Sequence, residues 1–312
     1  VSTTTLPLLY KKLPSIFKDH YNIGAWWWEF DTGVEFFENS LFYIDGVLTF
    51  TDFVKNSFEN YLQGRKKVFK VFYPALLDVK PSNTIVGERE KIGLYEDDFV
   101  FIFTFDFYSS VFRKNPLLVL EAFSRFCKKQ PKAKLILKWN GHAYYNEEIK
   151  VLKDFIKQKD IESQVLCIEK NLDRQDFINL LNVSDCYVSL HRGEGLGLGL
   201  LEAMSLGKAV IASDYGGNRE FMNHGNSFLI ETDMVCGSIP DHANYSYVKR
   251  YAEPVVEKAA QCMEAISLYP SLATKFGDLA KKSIEERTLS EDFKNIILKI
   301  INMEKEEKNT NN

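Results

Sequence analysis

From about Asp98 onward, short apolar runs rich in β-branched and aromatic residues alternate with amphipathic segments of helical period. Few folds satisfy that alternation, because neighbouring parallel strands need a crossover long enough to hold a helix. The pattern predicts strands over Phe99–Phe105, Lys134–Trp139, Gln164–Ile168, Cys186–His191, Ala209–Ser213 and Ser227–Ile230. Helices are predicted over Pro116–Lys129, Glu147–Lys157, Arg174–Val183, Gly199–Leu206 and Asn218–Asn223. Asn115 is placed as the N-cap before Pro116, and Gly207 as the glycine that ends a helix. The expected fold class is α/β, a doubly wound Rossmann-like parallel sheet, with ligands held beyond the carboxyl ends of its strands. Attention therefore falls on the loops Asp106–Asn115, Asn140–Tyr145, Arg192–Leu198 and Asp214–Asn218.

The first ninety residues read differently. Trp26-Trp27-Trp28-Glu29, an alternating Leu48-Thr49-Phe50-Thr51, a helix near Phe53–Leu62 and a strand near Val68–Phe72 make a partial α/β unit, with Pro74 and Pro81 bracketing a linker. The expected division is a partial N-terminal domain over 1–80, a ligand-binding domain over 81–288, and a C-terminal helix and polar tail over 289–312. In a strand, consecutive tryptophans point to opposite faces, so core packing of one face is expected rather than a sugar-stacking platform.

A formal charge of −4 gives no global attraction for nucleic acid, so an anionic ligand needs a local site. The five cysteines form no C-x-x-C pair and read as free core thiols in a reducing, intracellular setting. No run approaches the roughly 18 to 20 apolar residues of a membrane span. The basic run Arg65-Lys66-Lys67 with Lys70 reads as a solvated turn, with docking to an acidic membrane surface as the alternative.

The segment that carries chemistry is His191-Arg-Gly-Glu-Gly-Leu-Gly-Leu-Gly-Leu-Leu-Glu202, between a predicted strand and a predicted helix. Its glycines at 193, 195, 197 and 199 leave the backbone bare, so peptide N–H groups of Gly195, Leu196 and Gly197 can approach an anion at the helix end. Glu194 and Glu202 lie about 10 Å apart by helical rise, a span suited to a ligand with hydroxyls at both ends and a diphosphate between. Arg113 and Lys114 precede the helix at Pro116, where two cations oppose the macrodipole unless an anion joins them. Lys138 ends the next strand as a weaker cationic candidate, and His191 is read either as a lining of the sugar pocket or as a satisfied structural histidine.

These residues also carry a resemblance. Phe105-Asp-Phe-Tyr-Ser-Ser-Val-Phe-Arg-Lys-Asn-Pro116, Leu135-Ile-Leu-Lys138, Cys186-Tyr-Val-Ser-Leu-His-Arg-Gly-Glu194, Glu202-Ala-Met-Ser-Leu-Gly-Lys208, Tyr215-Gly-Gly-Asn-Arg-Glu-Phe-Met222, Tyr21 to Glu29 and Tyr251-Ala-Glu-Pro254 resemble glycosyltransferase family 4, in its bacterial surface-polysaccharide branch. The resemblance implies a GT-B fold and transfer of a hexose, with retention, from a nucleotide sugar such as UDP- or GDP-hexose to a glycan or lipid-linked acceptor. It implies no metal and no cofactor beyond that donor. By match to the family's Glu-x7-Glu motif, Glu194 would contact the hexose and Glu202 the ribose, with Arg113 and Lys114 on the leaving diphosphate. The family setting implies a cytoplasmic enzyme, with peripheral association on the inner membrane face as the variant. Only about twenty residues precede the matching region, so most of the acceptor side is expected to lie outside this chain, which should bind donor without efficient transfer. Residues 231–246 read as irregular and without a function.

Two rivals remain. A nicotinamide dehydrogenase would explain Gly195-x-Gly197, but Leu200 stands where the third glycine belongs and Glu194 would face the pyrophosphate. A non-catalytic sugar-nucleotide-binding module would bind nucleotide without turnover.

Overall fold

The computed structural model describes residues 5–73, 79–82, 85–141, 144–290 and 298. Its larger sheet is built from β4 (Phe99–Asp106), β5 (Ala133–Asn140), β6 (Val165–Ile168), β7 (Cys186–Ser189), β8 (Ala209–Ser213) and β9 (Phe228–Ile230). All neighbours are parallel, in the order β6-β5-β4-β7-β8-β9. Strand order reverses between β4 and β7, which opens a crevice at their carboxyl ends. The site grows there.

The period-two pattern of β4 shows why it is central. Phe99, Phe101, Phe103 and Phe105 fill one core cluster, while Val100 and Ile102 fill another on the opposite face. Crossovers run through α6 (Pro116–Ser124), α7 (Asn146–Gln158), α8 (Arg174–Val183) and α9 (Leu198–Ser205). The helix predicted over Pro116–Lys129 stops early and tightens into a 3₁₀ turn at Cys127–Lys129, which lets Phe126 and Cys127 enter the core. The helix predicted over Asn218–Asn223 is instead a 3₁₀ turn, Gly217–Glu220, because Gly216 and Gly217 lie against the Glu194–Gly195 backbone.

In the N-terminal part, β1 (Ile23–Ala25), β2 (Gly46–Thr49) and β3 (Lys67–Lys70) form a parallel sheet in the order β1-β2-β3, with α3 (Asp52–Leu62) crossing between the last two. The tryptophans leave the strand, yet their alternation holds: Trp26 and Trp28 are buried, and Trp27 is 38% exposed. Trp26 stacks on Phe37 at 4.9 Å within an aromatic core that includes Phe30 and Phe58.

Residues 231–246 are more regular than their composition suggests. β10 (Thr232–Cys236) pairs antiparallel with β11 (Arg250–Pro254), and between them Ile239, Tyr245 and Val248 enter the N-terminal core. Packing thus crosses the sequence division near residue 80. The chain closes with α10 (Val256–Leu268) and α11 (Pro270–Ser290); the remainder of the C-terminal helix and tail expected over 289–312 falls outside the described residues, apart from Leu298, and Pro74 of the expected linker does too.

Candidate functional site

A cleft of about 360 Å³ opens at the β4–β7 switch point, and Lys114, Glu194, Gly195, Leu196, Gly197 and Glu202 line it. Tyr187 and Thr104, hydrogen-bonded through their hydroxyls at 2.9 Å, also line it. The N-terminal segment adds Trp27 and Glu29 to the lining.

Glu194 sits on the loop after β7 with its side chain 13% exposed. Lys114 donates to its carboxylate at 2.5 Å, and the Arg113 guanidinium lies 3.6 Å away. Burial opposes the Glu194 charge, but Lys114 and Arg113 outweigh it and hold the carboxyl well below its usual range. Glu202, on α9, pairs with the largely exposed Arg174, and burial raises its pKa against that partner. The two carboxylates of one cleft therefore differ in basicity.

Between them stands the start of α9. Its first-turn N–H groups have no partner inside the helix, and neither a capping side chain nor an acidic first-turn residue meets them. Gly197 enters that turn at φ +91°, a conformation L side chains rarely adopt. Gly193 and Gly195 serve another purpose as well: a Cβ at Gly195 would lie 2.5 Å from the Trp28 carbonyl oxygen, and one at Gly193 would lie 2.7 Å from the Glu29 oxygen. Those two glycines let the N-terminal segment close onto the loop, and Thr51 Oγ secures the contact by donating to the Gly195 carbonyl at 2.9 Å.

Arg113 and Lys114 are placed otherwise than their sequence context implies. They occupy the last turn of a short helix, α5 (Val111–Lys114), where cations suit the macrodipole, and the anion that joins them is Glu194. Asn115 starts α6 without capping it, donating instead to the Leu190 carbonyl at 3.0 Å. Arg113 is 2% exposed and donates to the Gly193 carbonyl at 2.8 Å, so it stiffens the glycine loop from behind. The basic turn is itself anchored by Asp241, which accepts from Ser110 Oγ at 2.6 Å and from the Phe112 N–H at 2.8 Å. Residues 231–246 thereby gain a structural role.

Two expected lining residues lie behind the cleft. Lys138 is 3% exposed and donates to the Asn140 side-chain oxygen at 2.5 Å, because its strand continues past it and folds the amine back. His191 is fully buried; Nε2 donates to the Tyr215 carbonyl at 2.9 Å, and Nδ1 accepts from Ser189 Oγ at 3.0 Å. Burial lowers its pKa to about 4, so the ring is neutral and structural.

The sequence reading missed Arg174, Glu29 and Tyr245. Arg174 is the first residue of α8, after the N-cap Asp173, so the argument of a cation against a helix dipole fits this residue better than Arg113. Glu29 was visible only as the end of the tryptophan run. It lies 3.9 Å from Arg113, and the Tyr245 hydroxyl that donates to it is distant in sequence.

With this geometry in view, comparison places residues 87–235 in a match to the family described as Glycosyl transferases group 1. A protein named as glycosyltransferase EpsD from Bacillus subtilis (strain 168) is 29% identical over 147 residues, covering 46% of this chain and 35% of that protein. N-acetyl-alpha-D-glucosaminyl L-malate synthase from Bacillus anthracis is 27% identical over 206 residues, covering 65% of this chain and 45% of the synthase. The matched stretches thus span less than half of those two relatives. Among solved structures, Anabaena HepE in complex with UDP and glucose superposes with a TM-score of 0.70 at 16% identity, covering 97% of this chain and 75% of HepE. The shared architecture is GT-B.

Proposed function

Taking as premise that residues 87–235 match the glycosyl transferases group 1 family on a GT-B fold, we propose that the chain provides the UDP-hexose site of an enzyme that transfers the sugar, with retention of configuration, to a glycan or lipid-linked acceptor. The observation that carries this reading is the uncapped start of α9 set between Glu194 and Glu202, with Lys114 on the same cleft. Diphosphate meets the helix N–H groups and Lys114, the Glu202 carboxylate accepts from ribose hydroxyls, and Glu194 accepts from the hexose. UDP is the nucleotide of choice because HepE, similar in fold, holds UDP with glucose.

The chemistry then rests on charge. The bond between the anomeric carbon and the diphosphate oxygen breaks, the acceptor oxygen bonds to that carbon on the same face, and the acceptor proton passes to the departing phosphate. Negative charge grows on the diphosphate, and Lys114 and the α9 amides stabilise it more in the transition state than before it. Arg113 acts indirectly, by holding Gly193 and keeping Glu194 ionised. Titration calorimetry with UDP, GDP and ADP tests the donor assignment: UDP should bind most tightly, and equal failure of all three nucleotides would refute it.

A further inference from the structure

The tryptophan run leaves one ring without a role in the core. Phe50 covers one face of Trp27, with ring centroids 4.3 Å apart, and Tyr73 meets its edge at 5.2 Å. Trp27 as a residue is 38% exposed and lines the cleft, as does Glu29 two residues on, whereas Trp28 between them is buried. In extended backbone, residues two apart share a face about 6.5 Å apart. Trp27 and Glu29 thus bring an apolar ring and a carboxylate into the cleft that Glu194 and Lys114 also line.

That pairing has a chemical preference. A pyranose offers an apolar C–H face to an aromatic ring and hydroxyls to a carboxylate, while an anion is repelled by the carboxylate. The rest of the lining carries three carboxylates, Asp106, Glu194 and Glu202, against two cations, Lys114 and Arg174, an excess of one negative charge to which Glu29 adds. A bound diphosphate deepens the negative field.

We propose that Trp27 and Glu29 form an acceptor-side subsite for an uncharged pyranose, which selects a neutral sugar over an acidic acceptor. This inference rests on the donor reading above. The protein, saturated with UDP, is titrated with methyl glycosides of neutral hexoses, with glucuronate and with L-malate, and binding is followed by tryptophan fluorescence and saturation-transfer NMR. A neutral glycoside should bind saturably, with both acids at least about tenfold weaker. Trp27→Ala should weaken the glycoside about tenfold and Trp27→Phe should restore part of it. Glu29→Gln should narrow the gap between neutral and acidic ligands to within about threefold. Acids that bind as tightly as the neutral glycosides, an unchanged glycoside affinity in Trp27→Ala, or UDP binding with no glycoside response each overturn the subsite and leave the donor reading standing. Loss of UDP binding in the unaltered protein overturns both.

Discussion

Glu194 and Glu202 differ in what surrounds them, and the difference sets what each tolerates. Glu194 has two cations, the buried Arg113 and the half-buried Lys114, and stays ionised; Glu202 has an exposed arginine and is easier to protonate. Removing Glu202 relieves a poorly solvated carboxylate, so Glu202→Ala should leave thermal stability nearly unchanged while weakening UDP binding about ten- to a hundredfold, the worth of one charge-assisted contact. Calorimetry on the variant decides this, and equal UDP affinity would remove Glu202 from the site. His191 makes a separate prediction about pH. Its pKa falls from 6.5 in the open chain to about 4 in the fold, so between those values the unfolded state holds the extra proton. Stability is therefore full above pH 6.5 and declines as pH falls toward 4, by roughly 3 kcal/mol in total. Urea midpoints measured across that window should show the slope, and His191→Gln should flatten it; a slope of the same size in both proteins would mean that other groups cause it. Its position at the end of a strand beside a glycine motif made His191 visible in the sequence. Its burial was not visible, because the Tyr215 carbonyl that fixes it arrives from the loop after another strand.

At the scale of elements, the glycine loop is shaped by what leans on it as much as by what it binds. Gly195→Ala would drive a methyl group into the Trp28 carbonyl, a rigid backbone atom 2.5 Å from the new Cβ, and neither strand of contact can yield cheaply. The substitution should cost about 1–3 kcal/mol in urea unfolding. It should also weaken Trp27 and Glu29 as a wall; wild-type stability in the variant would show that the N-terminal segment does not press on the loop. The basic turn depends likewise on a distant partner. Asp241→Ala frees Ser110 and the Phe112 amide, so α5 should loosen and turnover should fall about tenfold with little change in melting temperature. Unchanged turnover would make Asp241 merely decorative. The strands of the large sheet were legible because each is a short apolar run whose burial on two faces erases polar positions, as in Phe99–Asp106. The pairing of β10 with β11 was not, since Thr232–Cys236 carries no such run and gains its order from Arg250–Pro254. The switch-point loops were found by the same logic that found the strands, whereas Asp241 sits 131 residues from Ser110 and no local spacing announces it.

Across the whole molecule, one carboxylate joins three regions. Glu220, with its side chain 7% exposed, accepts from the Asp52 N–H at the start of α3 at 2.9 Å and from Lys70 of β3 at 2.7 Å. Arg287 of α11 reaches the same carboxylate at 2.7 Å and the Glu220 carbonyl as well. The N-terminal sheet, the 3₁₀ turn that follows Gly216, and the long C-terminal helix are thereby tied at one point, and the wall formed by Trp27 and Glu29 depends on that sheet staying in place. Glu220→Ala takes one of two carboxylates from Lys70, which keeps Asp52 at 2.8 Å, and one acceptor from Arg287, which keeps the Glu220 carbonyl; loss of one partner of a buried ion pair costs about 3–5 kcal/mol, and with these remaining partners the low end is expected. Glu220→Gln keeps the shape and one acceptor, and should lose about half as much. The distinctive result is spatial. Hydrogen exchange in Glu220→Ala should accelerate in β2, β3 and α3 while β4 and β5, whose core is formed by Phe101, Phe103, Leu135 and Leu137, keep their protection. Uniform acceleration through both sheets would show that the two parts unfold as one unit, and that the Glu220 contacts stabilise the molecule without governing how its cleft is closed.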